Sequence, residues 1–126
     1  MYLIENTVFE AINRSLLLPE TGGILGADDK CIVTNFYHDL TGKTTTTNYI
    51  PDVRALNEVI QHWAEAGIRF VGFVHAHPKY NRRLSSIDLN YARQIKKHCS
   101  LSELLMLLYI IDEETQSEDR FIQYVI

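Results

Sequence analysis

Cysteine, proline and tryptophan are scarce: two, three and one among 126 residues. Cys31 and Cys99 stand far apart and in no paired motif, which excludes a disulfide framework and a multi-cysteine metal cluster. We expect ordinary buried thiols in a reducing compartment. Positive charge is also short, with 12 Lys and Arg against 16 Asp and Glu and a formal net charge of −4. That excludes the concentrated basic surface a nucleic-acid binder needs, though not local basic spots. Long hydrophobic runs are missing as well. The longest, Leu104 to Ile111, falls far short of the ~20 residues that span a bilayer as a helix. The first residues, Met1 to Asn6, carry no basic segment followed by a long apolar one, so no signal peptide is expected. The expected location is cytoplasmic, with no membrane and no nucleic acid as partner.

What is present suffices for a globular fold. Hydrophobic residues make up 46% and charged residues 22%, the balance of an ordinary folded protein. Residues 1–126 are expected to form a single domain. At this length roughly two-thirds of the chain's surface is buried on folding, without staples. Asn6 is expected to cap a helix with Val8, Ile12 and Leu16 on its apolar face, ended by Pro19. Gly22 to Gly26 and Cys31 to Tyr37 read as strands around an Ala27-Asp28-Asp29 turn, and Thr44 to Ile50 as a further strand. Pro51-Asp52 opens a second helix with Val53, Leu56, Ile60 and Trp63 on one face, and Gly67 ends it. Ile68 to Val74 is a β-branched, apolar strand; Ser85 starts a third helix; Leu104 to Ile111 and Phe121 to Ile126 read as strands. The mixture places the fold in the α/β or α+β class, a single mixed sheet flanked by helices.

The strand from Ile68 runs into His75-Ala76-His77-Pro78. Residues two apart on a strand leave the same face, and Pro78 marks where the ladder stops. Two neutral imidazoles there can reach one ion at roughly 2.0–2.1 Å. Taken alone, the pair reads more readily as two histidines on a solvated face, or as one buried and hydrogen-bonded. Asp88 sits in the first turn of the helix that Ser85 opens, where an acid is also an ordinary helix start. The two roles are compatible, because the cap fixes the backbone that aims the carboxylate. Two histidines and one carboxylate leave a tetrahedral ion an open position, as catalytic sites do. One zinc per chain is expected; iron or manganese also suits such donors. Glu20, ahead of Gly22-Gly23, can take a proton from a metal-activated water and return it to a leaving amine. By itself it also reads as a turn residue. Lys79, Arg82 and Arg83 lie in the loop between the histidines and Ser85. They either bind a carboxylate or acidic patch of a substrate or only solvate the loop.

These residues carry a resemblance. His75-Ala76-His77-Pro78, six residues from Lys79 to Leu84, and Ser85-Ser86-Ile87-Asp88 resemble the JAMM/MPN+ (JAB domain) metalloprotease family. Glu20-Thr21-Gly22-Gly23-Ile24-Leu25-Gly26 looks like that family's glutamate segment. The resemblance covers Glu20 to Asp88. It implies a cytidine-deaminase-like mixed sheet flanked by helices, zinc held by His75, His77 and Asp88, Glu20 as general acid/base, and Ser85 as a donor to the developing oxyanion. The implied activity is isopeptide or peptide hydrolysis at the C-terminus of a ubiquitin-like or sulfur-carrier protein, with a ubiquitin-activating-like enzyme system as further partner. The short connection from His98 to Leu104 lacks the insertion of chain-gripping members, so the resemblance is to the minimal prokaryotic type.

Other motifs fail. Leu18-Pro19-Glu20-Thr21-Gly22 spells a sortase signal, but lies near the N-terminus with no anchor behind it. Gly42-Lys43-Thr44 lacks the phosphate-loop glycine, since position 37 is Tyr37. The Pro-Cys-x-x-Cys of zinc deaminases is absent. Besides an active metallopeptidase, a silent binding subunit of the same fold and a hydrolase of a small amide stay open. The silent form is disfavoured because every ligand position is filled.

Overall fold

The computed structural model describes residues 2–16, 21–44, 49–111 and 120–126. In chain order the elements are β1 (Leu3–Ile4), α1 (Asn6–Ser15), β2 (Gly22–Ala27), β3 (Ile32–His38), β4 (Lys43–Thr44), β5 (Tyr49–Ile50), α2 (Val53–Glu65), β6 (Arg69–Pro78), α3 (Ser86–His98), β7 (Leu105–Ile111) and β8 (Phe121–Val125). Six strands form one mixed sheet in the order β1-β3-β2-β6-β7-β8. β6 and β7 are parallel and joined through α3, as a parallel pair requires a crossover. β2 runs antiparallel to both its neighbours.

Each face of the sheet has its own helices. On one side Val8, Ile12 and Leu16 pack with Leu25, Val74, Ala76 and Leu107. On the other, Leu56 of α2 and Ala92 of α3 join Ile24, Phe70, Phe73 and Met106. β7 is buried on both faces except at its last residue, which is why it reads as a continuous apolar run. The two ends of the sheet are drawn together by Tyr2. Its N–H donates to Gln123 Oε1 at 3.0 Å and its carbonyl accepts from Gln123 Nε2 at 2.9 Å, joining the β1 end of the chain to β8. No helix among the described residues is long and apolar enough to cross a membrane.

Three expectations need correction. Asn6 is the first helical residue, not the cap; Glu5 holds that position and makes no side-chain cap bond. The reason lies upstream: Glu5 N–H is still bonded to Val33 O at 3.0 Å, so this residue straddles strand and helix. Thr44 to Ile50 is not one strand. Lys43–Thr44 pairs antiparallel with Tyr49–Ile50 in a separate two-stranded sheet, and residues 45–48 lie outside the described ones. The segment is clamped at both ends, because Asp39 Oδ2 accepts Asp52 N–H at 2.9 Å and Thr41 Oγ1 donates to Asp52 Oδ2 at 2.7 Å. Finally, both cysteines are exposed. Cys31 sits in the β2–β3 turn at φ 62°, with Arg69 Nη2 3.1 Å from its sulfur.

Candidate metal centre

The site begins with a phase change in β6. Phe70 and Phe73 both pack on the α2/α3 face, although strand residues three apart should point to opposite faces. Pairing with β2 explains this. Leu25 is opposite Gly72 and Gly26 is opposite Phe70, so Val71 is an extra residue, a bulge that resets the alternation. Beyond it, Phe73, His75 and His77 share one face, and Val74 and Ala76 pack on the other, α1 face. Two close approaches hold the strands in this register. A Cβ at Gly72 would fall closer than 3.0 Å to the Leu105 carbonyl, and one at Gly23 closer than 3.0 Å to the Tyr37 carbonyl oxygen. At Gly23 it is therefore a neighbouring backbone that comes close.

Asp88 arrives from the other element. Ser85 caps α3: its Oγ accepts Asp88 N–H at 3.0 Å, while Asp88 Oδ2 accepts Ser85 N–H at 2.9 Å. This reciprocal capping box locks the first turn. It leaves Asp88 Oδ2 at 3.4 Å from His75 Nε2 and 3.7 Å from His77 Nε2. His75, His77 and Asp88 offer donor atoms that all lie within 4.8 Å of one another. Both imidazoles are buried, at 2% and 1% exposure.

The protonation states suit metal binding. His77 Nδ1 lies 3.0 Å from the Asn81 carbonyl, which can only accept, so Nδ1 carries the proton and the Nε2 lone pair faces Asp88. Burial, followed by the neighbouring His75, pushes His77 down to about 4. Burial alone would raise Asp88, but the neighbouring His75 ring and the Ser85 hydrogen bonds outweigh it and hold the carboxyl at about 2. A neutral imidazole beside an ionised carboxylate is the ligand form of each.

The geometry also passes a test of fit. Two metal–ligand bonds of roughly 2.0–2.1 Å at a tetrahedral angle put their donor atoms about 3.3–3.4 Å apart. Separations of 3.4 and 3.7 Å need only small side-chain movements to reach that. The buried His75, His77, Asp88 group can therefore hold a metal ion.

The other residues singled out in the sequence fall as follows. Ser85 Oγ accepts Asp88 N–H at 3.0 Å, and its hydroxyl also lies against the Asp88 carboxylate. Glu20 lies outside the described residues. Its neighbour Thr21 is placed: the Thr21 carbonyl accepts Ala76 N–H at 2.8 Å, between the two histidines. Lys79, Arg82 and Arg83 are exposed on the loop after β6. That loop is pinned by Asn81 N–H to Pro78 O at 2.9 Å and by Tyr124 hydroxyl to Arg82 O at 3.0 Å.

Sequence reasoning missed Asn81 and Asp39. Asn81 acts through its backbone carbonyl, so residue type gave no signal. Asp39 is an acid of 5% exposure at the end of β3, its N–H bonded to Gly22 O at 2.9 Å. It anchors the start of α2, and only its place at the edge of a polar loop hinted at this. A pocket beside His75 and Asp88 was also not foreseen, because its walls come from four separate segments.

No protein-family model and no curated protein matches the chain. The fold is similar to the solution structure of a Desulfitobacterium hafniense protein determined by a structural genomics consortium. The two share 18% identity over 98% of this chain and 90% of that one, with a TM-score of 0.68. At that identity the likeness concerns the fold alone.

Proposed function

We propose that the chain is a zinc-dependent peptidase or isopeptidase of the JAMM/MPN+ type, acting at the C-terminus of a ubiquitin-like or sulfur-carrier protein. The observation that carries this reading is the separation of 3.4 and 3.7 Å between one Asp88 oxygen and the two histidine Nε2 atoms. Three protein donors within 4.8 Å of one another would leave a tetrahedral ion a position for water or substrate, which a structural site would close. Zinc bound there would supply a Lewis acid for the scissile carbonyl and lower the pKa of its water.

The remaining work falls to the chain's own groups. Glu20 adjoins Thr21 in sequence, and the Thr21 carbonyl accepts Ala76 N–H between the two histidines. In this reading Glu20 accepts the proton of the attacking water and delivers it to the departing amine. Ser85, whose Oγ accepts Asp88 N–H at the helix cap, would turn its hydroxyl proton to the developing oxyanion. Asn81 holds His77 in the right tautomer.

The test pairs metal analysis with cleavage of a ubiquitin-like protein extended at its C-terminus. About one zinc per chain is expected, sharply reduced in His75→Ala. Glu20→Gln should keep the zinc and lose turnover by roughly 10²–10⁴-fold. Full turnover in Glu20→Gln removes that residue from the mechanism. Zinc-loaded protein that cuts small amides but no ubiquitin-like fusion would instead be a small-substrate hydrolase.

A further inference from the structure

A pocket of about 60 Å³ opens directly beside His75 and Asp88. Ile50 and Pro51 precede α2, Ile87 and Tyr91 stand on α3, and Phe73 and Met106 rise from the sheet. Phe73 and Tyr91 meet edge to face at 5.8 Å and 76°, which sets the back wall. Apart from His75, Asp88 and the hydroxyl of Tyr91 the lining residues are apolar. A polar group placed against the Ile50, Pro51, Ile87, Phe73 and Met106 walls would lose its hydrogen bonds to water without replacement. The volume admits a few waters at roughly 10–15 Å³ each and falls well short of the ~150 Å³ of a cavity that takes a benzene ring. An aromatic ring does not fit without moving a wall.

We propose that this pocket receives a small aliphatic side chain, of alanine or valine size, from the substrate residue adjoining the bond that is cut; this rests on the metallopeptidase reading above. His75 and Asp88 belong both to the metal group and to the pocket wall. A residue whose amide sits at the metal therefore has its own side chain, or that of its neighbour across the bond, at the pocket mouth. Ile87 and Ile50 are 58% and 50% exposed there, so they form a rim that a substrate side chain would cover. Burying that rim rewards an aliphatic group over hydrogen, while the closed back wall rejects a larger one.

The experiment uses zinc-loaded protein and two series of peptide hydroxamates. One carries Gly, Ala, Val or Phe on the acyl side of the chelating group, the other on the amine side. Affinity is measured by titration, and the site by NMR of the Ile and Met methyls. In one series Ala or Val should bind about 10-fold or more tighter than both Gly and Phe, shifting the Ile50, Ile87 and Met106 methyls. Ile87→Trp should erase that advantage while zinc content stays at one per chain. Equal affinities throughout both series, or no shifts at these three residues, overturns the pocket. The order of affinities without cleavage of any amide keeps the pocket and sinks the peptidase reading. Cleavage of fusions indifferent to the residues flanking the cut does the reverse, and failure to take up zinc overturns both.

Discussion

Asp88 has two jobs in the structure, and a substitution can separate them. Its Oδ2 accepts Ser85 N–H at 2.9 Å as half of the capping box, and stands 3.4 and 3.7 Å from the histidine Nε2 atoms. Asp88→Asn keeps an oxygen for Ser85 N–H but removes the charge that a metal needs. The helix loses a charge–dipole interaction of about 0.3–1 kcal/mol. Metal at 100 times its dissociation constant adds about 2.7 kcal/mol to the folded state. With 126 residues and an unfolding entropy of about 2.1 cal/mol/K per residue, each kcal/mol moves Tm by about 4 °C. Wild-type protein should therefore melt about 10 °C higher with zinc than with a chelator, and Asp88→Asn should show almost none of that difference. Ser85→Ala should behave in the opposite way. It removes the acceptor for Asp88 N–H, costs about 1 kcal/mol with or without metal, and keeps most of the zinc shift. Calorimetry of the three proteins, with zinc and with chelator, decides the matter. A full zinc shift in Asp88→Asn would refute the ligand assignment.

Three further outcomes are expected. Metal-free protein should lose stability as pH falls from 6.5 to about 4. His77 is depressed from 6.5 to about 4 in the folded state, so across that window only the unfolded chain takes up the proton, a loss on the order of 3 kcal/mol. Asp88, depressed from 3.8 to about 2, adds a second loss between those values; urea midpoints that stay flat from pH 7 to 4 contradict the burial of His77. Arg82→Glu with Arg83→Glu should raise KM for a protein substrate and leave zinc content alone, because neither residue belongs to the metal group; unchanged kinetics retire the basic loop. Gly72→Ala should cost about 3 kcal/mol or more by urea unfolding, since the new methyl meets the Leu105 backbone, which cannot rotate away; near-wild-type stability would mean that β6 and β7 can move apart.

Much of the fold was legible where a local signal and a tertiary one agreed. α2 begins at the Asp52 cap, which accepts Ala55 N–H at 3.2 Å, and stops before Gly67 at φ 77°. α3 begins at Ser85, with the full capping box. β7 was legible because burial on both faces leaves only apolar residues. What failed had no sequence-local cause. β1 is two residues long and exists because Leu3 and Ile4 lie parallel to Ile32 and Val33. The threonine segment looks like a strand by composition, yet its described ends, Lys43–Thr44 and Tyr49–Ile50, pair with each other, flanked by a bond between Asp39 and Asp52, 13 positions apart.

The candidate site shows the same division at closer range. His75 and His77 share a face for a reason a sequence states plainly, the two-residue period of a strand. Which face they share was not legible. Counting back from His75 with that period puts Phe73 on the same side and Phe70 on the other. The structure puts both rings on the α2/α3 side, because Val71 is unpaired between Gly72 and Phe70 in the register with β2. The bulge depends on a partner strand more than 40 positions upstream, so no window around the histidines contains it. Its consequence is chemical. It lets the apolar strand fill the core between α2 and α3 at Phe70 and still, beyond the bulge, present both imidazoles to α3, where the capping box has already aimed Asp88. With unbroken alternation, placing Phe70 in that core would turn His75 and His77 toward α1, away from the carboxylate. The motif specifies the donors, and the irregularity in the ladder brings them to one point.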